Sequence, residues 1–171
     1  DVVFHDGTPL TATDVKATLD RLRDPPPGVV SVRKAQFADI AAIETPDPRT
    51  LVVRLAAFDA SFEAKMASPW NCLYSAARLR EDPRWPERNI MGTGPFRFVE
   101  HVRGSHWVGA RFDGYFEEGR PYLDGFRIQF IAGAPMINAM QGGQIMAEFR
   151  GFSPAERDRL VQALGPRVTV Q

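Results

Sequence analysis

Residues 70–72 place three side chains that could contact a small ligand next to one another. Trp70 offers a large flat ring, Asn71 an amide and Cys72 a thiol, and the segment directly follows Pro69. Pockets for small molecules have mostly apolar walls with a few well-placed polar groups. The segment is therefore a candidate ligand-binding site, and packing in the protein core is the alternative interpretation.

A second candidate site is the segment of Glu148, Phe149 and Arg150, which Gly151 follows. An arginine inside an apolar stretch needs a carboxylate, a carbonyl or a ligand anion, because an unpaired buried charge is costly. Arg150 could pair with a carboxylate of a ligand, which the fork of a guanidinium fits well. A structural ion pair within the protein is the alternative, and the sequence leaves both open.

The sequence contains no arrangement of side chains that is typical of an enzyme. His5 lies beside Asp6, but neighbouring side chains on a strand point to opposite faces, so the pair does not form an acid–base dyad. The glycine-rich loop at residues 92–95 lacks the Gly-Lys-Ser/Thr ending of a phosphate-binding loop and instead suits a tight crossing of the backbone. A nucleophile elbow and paired catalytic carboxylates are also missing. We therefore expect neither an enzyme nor a cofactor.

The residues that most often bind metals do not form a cluster in the sequence. His101 and His106 lie on opposite arms of a predicted hairpin without a third ligand nearby, which favours two surface histidines. Cys72 is the only cysteine, which excludes an internal disulfide and a zinc site built from cysteines. No metal site is predicted.

The charges of the chain are balanced, with 21 lysines and arginines against 21 aspartates and glutamates. No overall field therefore favours nucleic acid or an anionic membrane. The 171 residues contain no apolar run near the length of about 20 residues that a membrane span needs. We expect a chain that binds no nucleic acid, does not insert into a membrane in this segment, and is long enough to bury a core.

The first half of the chain predicts a helix followed by a hairpin. Thr11 and Asp14 form a capping pair at the start of a helix over residues 11–24, which the prolines of residues 25–28 end. A short helix is expected at 34–37, and a hairpin at 38–55 around the turn of residues 46–49. A further helix is expected at 60–67, and residues 79–85 are predicted to be a polar connector.

The second half predicts another hairpin, at 96–111, and a half-buried strand at 126–131 with alternating apolar side chains. A helix is expected at 135–141. Ser153 and Pro154 are typical of a helix start, which predicts a helix at 153–164. Residues 168–170 are predicted to be a final strand. Interspersed helices and hairpins indicate an α+β (mixed α/β) fold in which both pack on a mixed sheet.

Several segments, in this order, resemble solute-binding protein family 5, the periplasmic dipeptide, oligopeptide and nickel receptors of ABC importers. The agreement extends over nearly the whole chain, which is more specific than any single motif. The sequence departs from the family pattern at Phe112, Phe116 and Met146. The segments that carry the resemblance are residues 3–15 (VFHDGTPLTATDV), 44–51 (ETPDPRTL), 91–96 (MGTGPF), 115–124 (YFEEGRPYLD), 139–143 (AMQGG) and 152–154 (FSP).

The resemblance implies part of a two-lobed fold like that of type II periplasmic binding proteins. Residues 1–90 would form an inserted subdomain of the first lobe, and residues 91–171 part of the core of that lobe. The implied partners are a peptide or similar small-molecule ligand and the transmembrane permease subunits of an ABC importer, and the implied location is the periplasm. The second lobe would lie outside this sequence, so we expect the isolated chain to bind ligand weakly.

Two other functions remain open from the sequence. The same fold could be the ligand-sensing domain of a transcription regulator, and a helix-turn-helix upstream would indicate this. A small hydrolase is the third hypothesis, for which no constellation of residues is found. A function inferred from fold alone needs a site to support it.

Overall fold

The computed structural model describes residues 1–131 and 133–170, in which helices and strands are interspersed along the chain. Short 3₁₀ helices lie at Lys34–Phe37, Trp85–Glu87 and Gly165–Arg167. The α-helices are α1 (Ala12–Arg23), α2 (Phe62–Met66), α3 (Ala76–Glu81), α4 (Ala134–Gln141) and α5 (Pro154–Leu164). The strands are β1 (Ile40–Asp47), β2 (Thr50–Leu55), β3 (Phe96–Val102), β4 (His106–Arg111) and β5 (Gly125–Gln129).

The chain divides into two compact units. Unit 1 comprises residues 1–100 and 108–126, and unit 2 comprises residues 101–107 and 127–171. The strands form two small sheets, one with β1 beside β2 and one in the order β3-β4-β5. Within the part of the chain that the structure describes, no helix is long and apolar enough to cross a membrane.

Helix α1 begins and ends where local sequence signals require it. The backbone N–H of Thr11 donates to the carboxylate of Asp14 over 2.8 Å, which fixes the first turn. The other carboxylate oxygen of Asp14 accepts from the backbone N–H of Ala76, also over 2.8 Å. The buried side chain of Asp14 therefore links the start of α1 to the start of α3. At the other end the chain leaves the helix at Asp24, just before three consecutive prolines that cannot continue it.

The main hydrophobic core lies in unit 1, between α1 and the antiparallel hairpin of β1 and β2. Its fully enclosed members are Leu19, Phe37, Ile40 and Ile43. The strand register pairs Ile43 with Val53, which is partly buried against this core. Each fully buried side chain of this size contributes about 1.5–3 kcal/mol to stability. The core therefore holds α1 against the hairpin.

Two glycines allow close backbone geometry around the second hairpin. Gly104 has a φ of +72° in the turn between β3 and β4, a conformation that other residues rarely adopt. A Cβ atom added at Gly125 would lie 2.6 Å from the carbonyl oxygen of Gly109. Since no side chain fits this gap, glycine is needed where β5 passes β4.

Unit 2 contains α4 and α5 and, among its described residues, a smaller set of buried side chains. Ile137 and Ala139 of α4 are buried, as is Leu160 of α5. Helix α5 begins at a capping box in which the Ser153 hydroxyl donates to the Glu156 carboxylate over 2.6 Å. In the same box the backbone N–H of Ser153 donates to the Glu156 carboxylate over 3.0 Å and that of Glu156 to the Ser153 hydroxyl over 3.4 Å, which satisfies N–H groups that have no partner inside the helix.

The predicted helices at 11–24, 34–37 and 153–164 are confirmed within a residue or two, as are both hairpins and the strand at 126–131. The predicted α+β class is also confirmed. The predicted strand at 168–170 is wrong, because these residues belong to no β-strand of the structure. Residues 79–85 are not simply a connector, since α3 extends to Glu81. The division into subdomains at residues 1–90 and 91–171 stays a prediction, and the compact units have other bounds.

Candidate functional site

A cleft of about 510 Å³ lies at the C-terminal end of α1 within unit 1. Its volume falls in the range of about 300–1,000 Å³ that pockets for small molecules occupy. Trp70, a residue singled out in the sequence, contributes to its wall. The lining residues are Arg21, Leu22, Val29, Val30, Ser31, Val32, Arg33, Gln36, Trp70 and Tyr74.

The segment that follows α1 forms one wall of the cleft because of how the helix ends. After the prolines, the backbone N–H of Val29 donates to the carbonyl of Pro26 over 3.0 Å. The hydroxyl of Ser31 then donates to the carbonyl of Leu22 over 2.6 Å, which ties the segment to the last turn of α1. Val30 and Val32 on either side of Ser31 are 88% and 92% exposed. The wall is therefore anchored to the helix while its apolar side chains remain open to solvent.

The first candidate segment, residues 70–72, supplies one side chain to the cleft, and hydrogen bonds of the next residue hold that side chain in place. The ring of Trp70 is 78% exposed and is free to contact a ligand. The amide of Asn71 donates to the carbonyl of Lys65 over 2.6 Å and to that of Met66 over 3.1 Å, which fixes the turn after α2. The exposed Cys72 has its sulfur 3.7 Å from the carbonyl of Pro69. Trp70 therefore has the more direct part in the cleft, and Asn71 holds it in place.

Arg33 is held firmly at the edge of the cleft by uncharged partners. Its terminal nitrogens donate to the hydroxyl of Ser68 and to the side-chain oxygen of Gln36, each over 2.7 Å. Its guanidinium lies 5.8 Å from the centre of the Phe37 ring. The Nε atom is buried without a hydrogen-bond partner, as is the side-chain oxygen of Asn71. A buried polar group without a partner is costly, which marks this edge as incompletely satisfied.

Tyr74 and Arg21 complete the polar part of the cleft. Burial raises the pKa of the Tyr74 hydroxyl above its ordinary value of 10.0, so the phenol is neutral and can donate a hydrogen bond near pH 7. The backbone N–H of Tyr74 donates to the hydroxyl of Thr18 on α1 over 2.9 Å, which positions the ring. Arg21 donates to the carbonyl of Pro83, another uncharged partner.

The second candidate segment lies in unit 2 and forms a tight exposed turn. The carboxylate of Glu148 accepts from the backbone N–H of Arg150 over 2.6 Å. The guanidinium of Arg150 lies 6.0 Å from the centre of the Phe149 ring, and that ring is 81% exposed. The turn presents an aromatic ring and a positive charge side by side. The roles of these three residues in binding stay a prediction.

His5 and the glycine-rich loop form a structural crossing of the backbone. The Nε2 atom of His5 lies 3.0 Å from the carbonyl of Gly94, and the backbone N–H of Gly92 donates to Nδ1 over 3.3 Å. These bonds require the tautomer with the proton on Nε2. The Phe112 ring packs edge-on against the imidazole at 5.0 Å. Neither nitrogen of His5 is therefore available for catalysis, and the described residues contain no cluster of three or more ligands suited to a metal.

The sequence reasoning missed Arg21, Arg33 and Tyr74 as lining residues. One signal could have found Arg33, because it directly follows residues 29–32, three of which are valines, and an arginine in such a segment needs a partner. Arg21 resembles the other charged residues of the exposed face of α1. Its place in the cleft depends on the turn after the prolines, which sequence periodicity does not describe.

Comparison with known proteins supplies the context for this cleft. A sequence profile described as bacterial extracellular solute-binding proteins, family 5 middle, matches residues 1–166. A putative ABC transporter peptide-binding protein of Brucella ovis is 34% identical over 149 residues, which is 83% of this chain. The glutathione-binding protein GsiB of Escherichia coli is 30% identical over 162 residues, or 94% of the chain.

Among solved structures, the PBP AgaA from A. tumefaciens R10, in complex with agropinic acid, is similar with a TM-score of 0.77. It is 32% identical and covers 84% of this chain. The chain spans only 28% of the Brucella protein, 31% of GsiB and 29% of AgaA. The similarity therefore concerns less than a third of each of these proteins.

Proposed function

Since the chain belongs to family 5 of the bacterial extracellular solute-binding proteins, we propose that it is part of the receptor of an ABC importer that captures a peptide or similar small solute. The observation that carries this proposal is the family match over residues 1–166. The family is one of transport binding proteins rather than enzymes, and the chain has the mixed helix-and-sheet fold of type II periplasmic binding proteins.

The cleft in unit 1 supports a binding role. It combines apolar side chains with a few polar ones, which is the usual composition of a small-molecule pocket. The relatives named above are called peptide-binding or glutathione-binding, or hold agropinic acid. Peptides, glutathione and agropinic acid are all small organic acids with several polar groups. We therefore propose a ligand of this size and chemistry for the present chain.

The proposed mechanism is closure of the receptor around its ligand. A ligand that contacts two lobes binds the closed state more tightly than the open state, and it shifts the equilibrium by that difference in affinity. The closed form would then be recognised by the permease subunits in the membrane. We place this process outside the cytoplasm, in the periplasm. Trp70 would contact the ligand with its ring. Phe149 and Arg150 of unit 2 stay separate candidates for a ligand contact.

The regulator alternative gains no support from the relatives named above, which are binding proteins of transporters.

Native mass spectrometry of the protein, purified from its own host and sprayed intact, tests the proposed function. We expect a fraction of the protein to carry the additional mass of one small molecule, which fragmentation then identifies. Trp70→Ala should lower the loaded fraction, and Phe58→Ala, which removes a ring that is 95% exposed outside the cleft, should not. A protein that remains empty from cells in rich and minimal media, and binds nothing from a mixture of short peptides, would contradict the proposal.

A further inference from the structure

The charges around the cleft in unit 1 are unequal, and this bears on the chemistry of its ligand. The described residues that line it include Arg21 and Arg33 but no aspartate or glutamate. The hydrogen bonds of Arg33 go to a hydroxyl and an amide, and Arg21 donates to a carbonyl. None of these hydrogen-bond partners carries a charge. Arg21 also lies close enough to the Glu87 carboxylate to help lower the pKa of that group, so Arg33 is the less compensated of the two guanidinium groups.

A second cleft on α1 shows that this imbalance is not a general property of the surface. That cleft has a volume of about 400 Å³ and also contains Arg21, together with Lys16, Asp20 and Asp24. Lys16 and Asp20 form an ion pair at 2.8 Å. Positive and negative groups are therefore mixed in the second cleft, whereas the charged side chains that line the first cleft are all positive.

The apolar side chains of the first cleft lie close to its arginines along the chain. Val32 directly precedes Arg33, Val30 lies three residues before it, and both valines are strongly exposed. Trp70 stands two residues after Ser68, which accepts a hydrogen bond from Arg33. A flat apolar group can pack on the tryptophan ring and the valines, because burial of such surface is favourable. An adjacent anionic group would then be close to the guanidinium groups.

We propose that this cleft binds a small solute in which a carboxylate lies beside an aromatic or similarly flat apolar group. The inference rests on the proposed function and names the class of its ligand. Arg21 and Arg33 would attract the carboxylate, and the neutral hydroxyl of Tyr74 would donate a further hydrogen bond. Trp70 would stack against the flat group. Both the C-terminal residue of a peptide and a free aromatic acid carry this chemistry.

Nuclear magnetic resonance on the 171-residue chain can test this proposal, because all lining residues belong to unit 1. The three probes are N-acetyl-phenylalanine, phenylacetate and N-acetyl-phenylalaninamide, the last being the uncharged counterpart of the first. We expect the acid to bind about tenfold or more tightly than the amide, since a charge-assisted hydrogen bond is lost in the amide. The resonance of the Trp70 indole N–H should shift on titration.

Site-directed variants separate the carboxylate contact from the ring contact. Trp70→Ala should weaken the binding of both N-acetyl-phenylalanine and its amide. Arg21→Gln should weaken the binding of the two acids only. Arg33→Lys, which keeps the charge, should retain most of the preference for the acids if the loss of its hydrogen bonds leaves the fold intact. Arg54→Gln is the matched control, because Arg54 is paired with Glu44 on the hairpin and does not line the cleft.

The outcomes distinguish this inference from the function on which it rests. Stronger binding of N-acetyl-phenylalanine than of phenylacetate supports a peptide C-terminus, and the reverse order supports a free acid. Equal binding of acid and amide, or shifts confined to residues outside the cleft, would overturn the inference. A host-derived ligand without a carboxylate would also overturn it, while leaving the proposed receptor function intact.

Discussion

The two compact units differ in how much of their apolar surface they bury by themselves. Unit 1 encloses Leu19, Phe37, Ile40 and Ile43 in one cluster, with further apolar side chains packed against it. Unit 2 buries Ile137, Ala139 and Leu160, while several of its larger apolar side chains stay open to solvent. These exposed residues include Phe130, Met146, Phe149, Val161 and Val170.

This difference separates two sources of stability. A cluster of enclosed side chains provides the main favourable free energy of folding, so unit 1 has its own source of stability. The helices of unit 2 depend more on local interactions such as caps, which are worth less. Exposed apolar patches often mark surfaces that contact another part of a protein or a ligand. Unit 1 thus has its own enclosed core and exposes apolar side chains at the cleft, whereas unit 2 encloses fewer apolar side chains.

The largest effect is expected from a truncated ring in the core of unit 1. Phe37→Ala should lower the free energy of unfolding by about 3–5 kcal/mol, because it removes a side chain that is 1% exposed and leaves a cavity. Phe149→Ala in unit 2 is the matched control and should change it by about 0.5 kcal/mol or less. Urea unfolding followed by circular dichroism measures both. Equal effects would remove the distinction between the units.

A smaller effect is expected from the buried link between α1 and α3. Asp14→Ala leaves the backbone N–H of Ala76 without its acceptor and removes the cap of Thr11, which should cost about 2–3 kcal/mol. Asp14→Asn keeps one oxygen and should cost less. In unit 2, Asp158→Ala removes only an exposed contact with Arg157 and should have almost no effect. An unchanged free energy of unfolding in the Asp14→Ala variant would show that the link does not stabilise unit 1.

The cap of α5 should give a still smaller and local effect. Ser153→Ala removes the hydroxyl that bonds to Glu156, which should destabilise the helix by about 1 kcal/mol. Hydrogen exchange should then accelerate at the amides of α5 and remain unchanged at those of β1 and β2. Ser153→Thr, which keeps a hydroxyl, should restore most of the protection. Acceleration throughout the chain would mean that the cap supports more than unit 2.

The smallest effect concerns a partly buried carboxylate of unit 1. Hydrogen bonds from Lys65 and Ser61 lower the pKa of Asp59 from 3.8 to about 2. Because the folded pKa is the lower one, the stabilisation is present above pH 3.8 and is lost as the pH falls towards 2. A carbon-detected titration of the Asp59 carboxyl measures this value. Lys65→Met should raise it towards 3.8, and an unchanged value would exclude Lys65 as the main cause.

Local signals explain why most elements could be predicted from the sequence. Thr11 and Asp14 mark the start of α1, and the proline run marks its end. Both signals lie next to the helix end that they define, so no distant contact is needed. Helix α3 is different, because its first backbone N–H is held by Asp14, which lies 62 residues away in the chain. Periodicity cannot reveal such a contact.

The predicted final strand and the cleft show the same limit. Residues 168–170 have the composition of a strand, but a strand forms only beside a partner that pairs with its backbone. Trp70 could be singled out from the sequence because its large ring stands beside the amide of Asn71 in a segment that follows Pro69. Arg21 and Arg33 join it only through the return of the chain after the prolines, so the polar side of the cleft required the structure.

Hydrogen exchange of the host-purified protein, compared before and after its bound solute is removed, tests the central claim most directly. The claim is that the protein captures a small solute and that the cleft of unit 1 contacts it. Removal should accelerate exchange at residues 29–36 and 70–74 and leave residues 50–55 of the hairpin unchanged. Identical exchange at the cleft segments in both forms, with the loss of the solute confirmed by mass, would contradict the account.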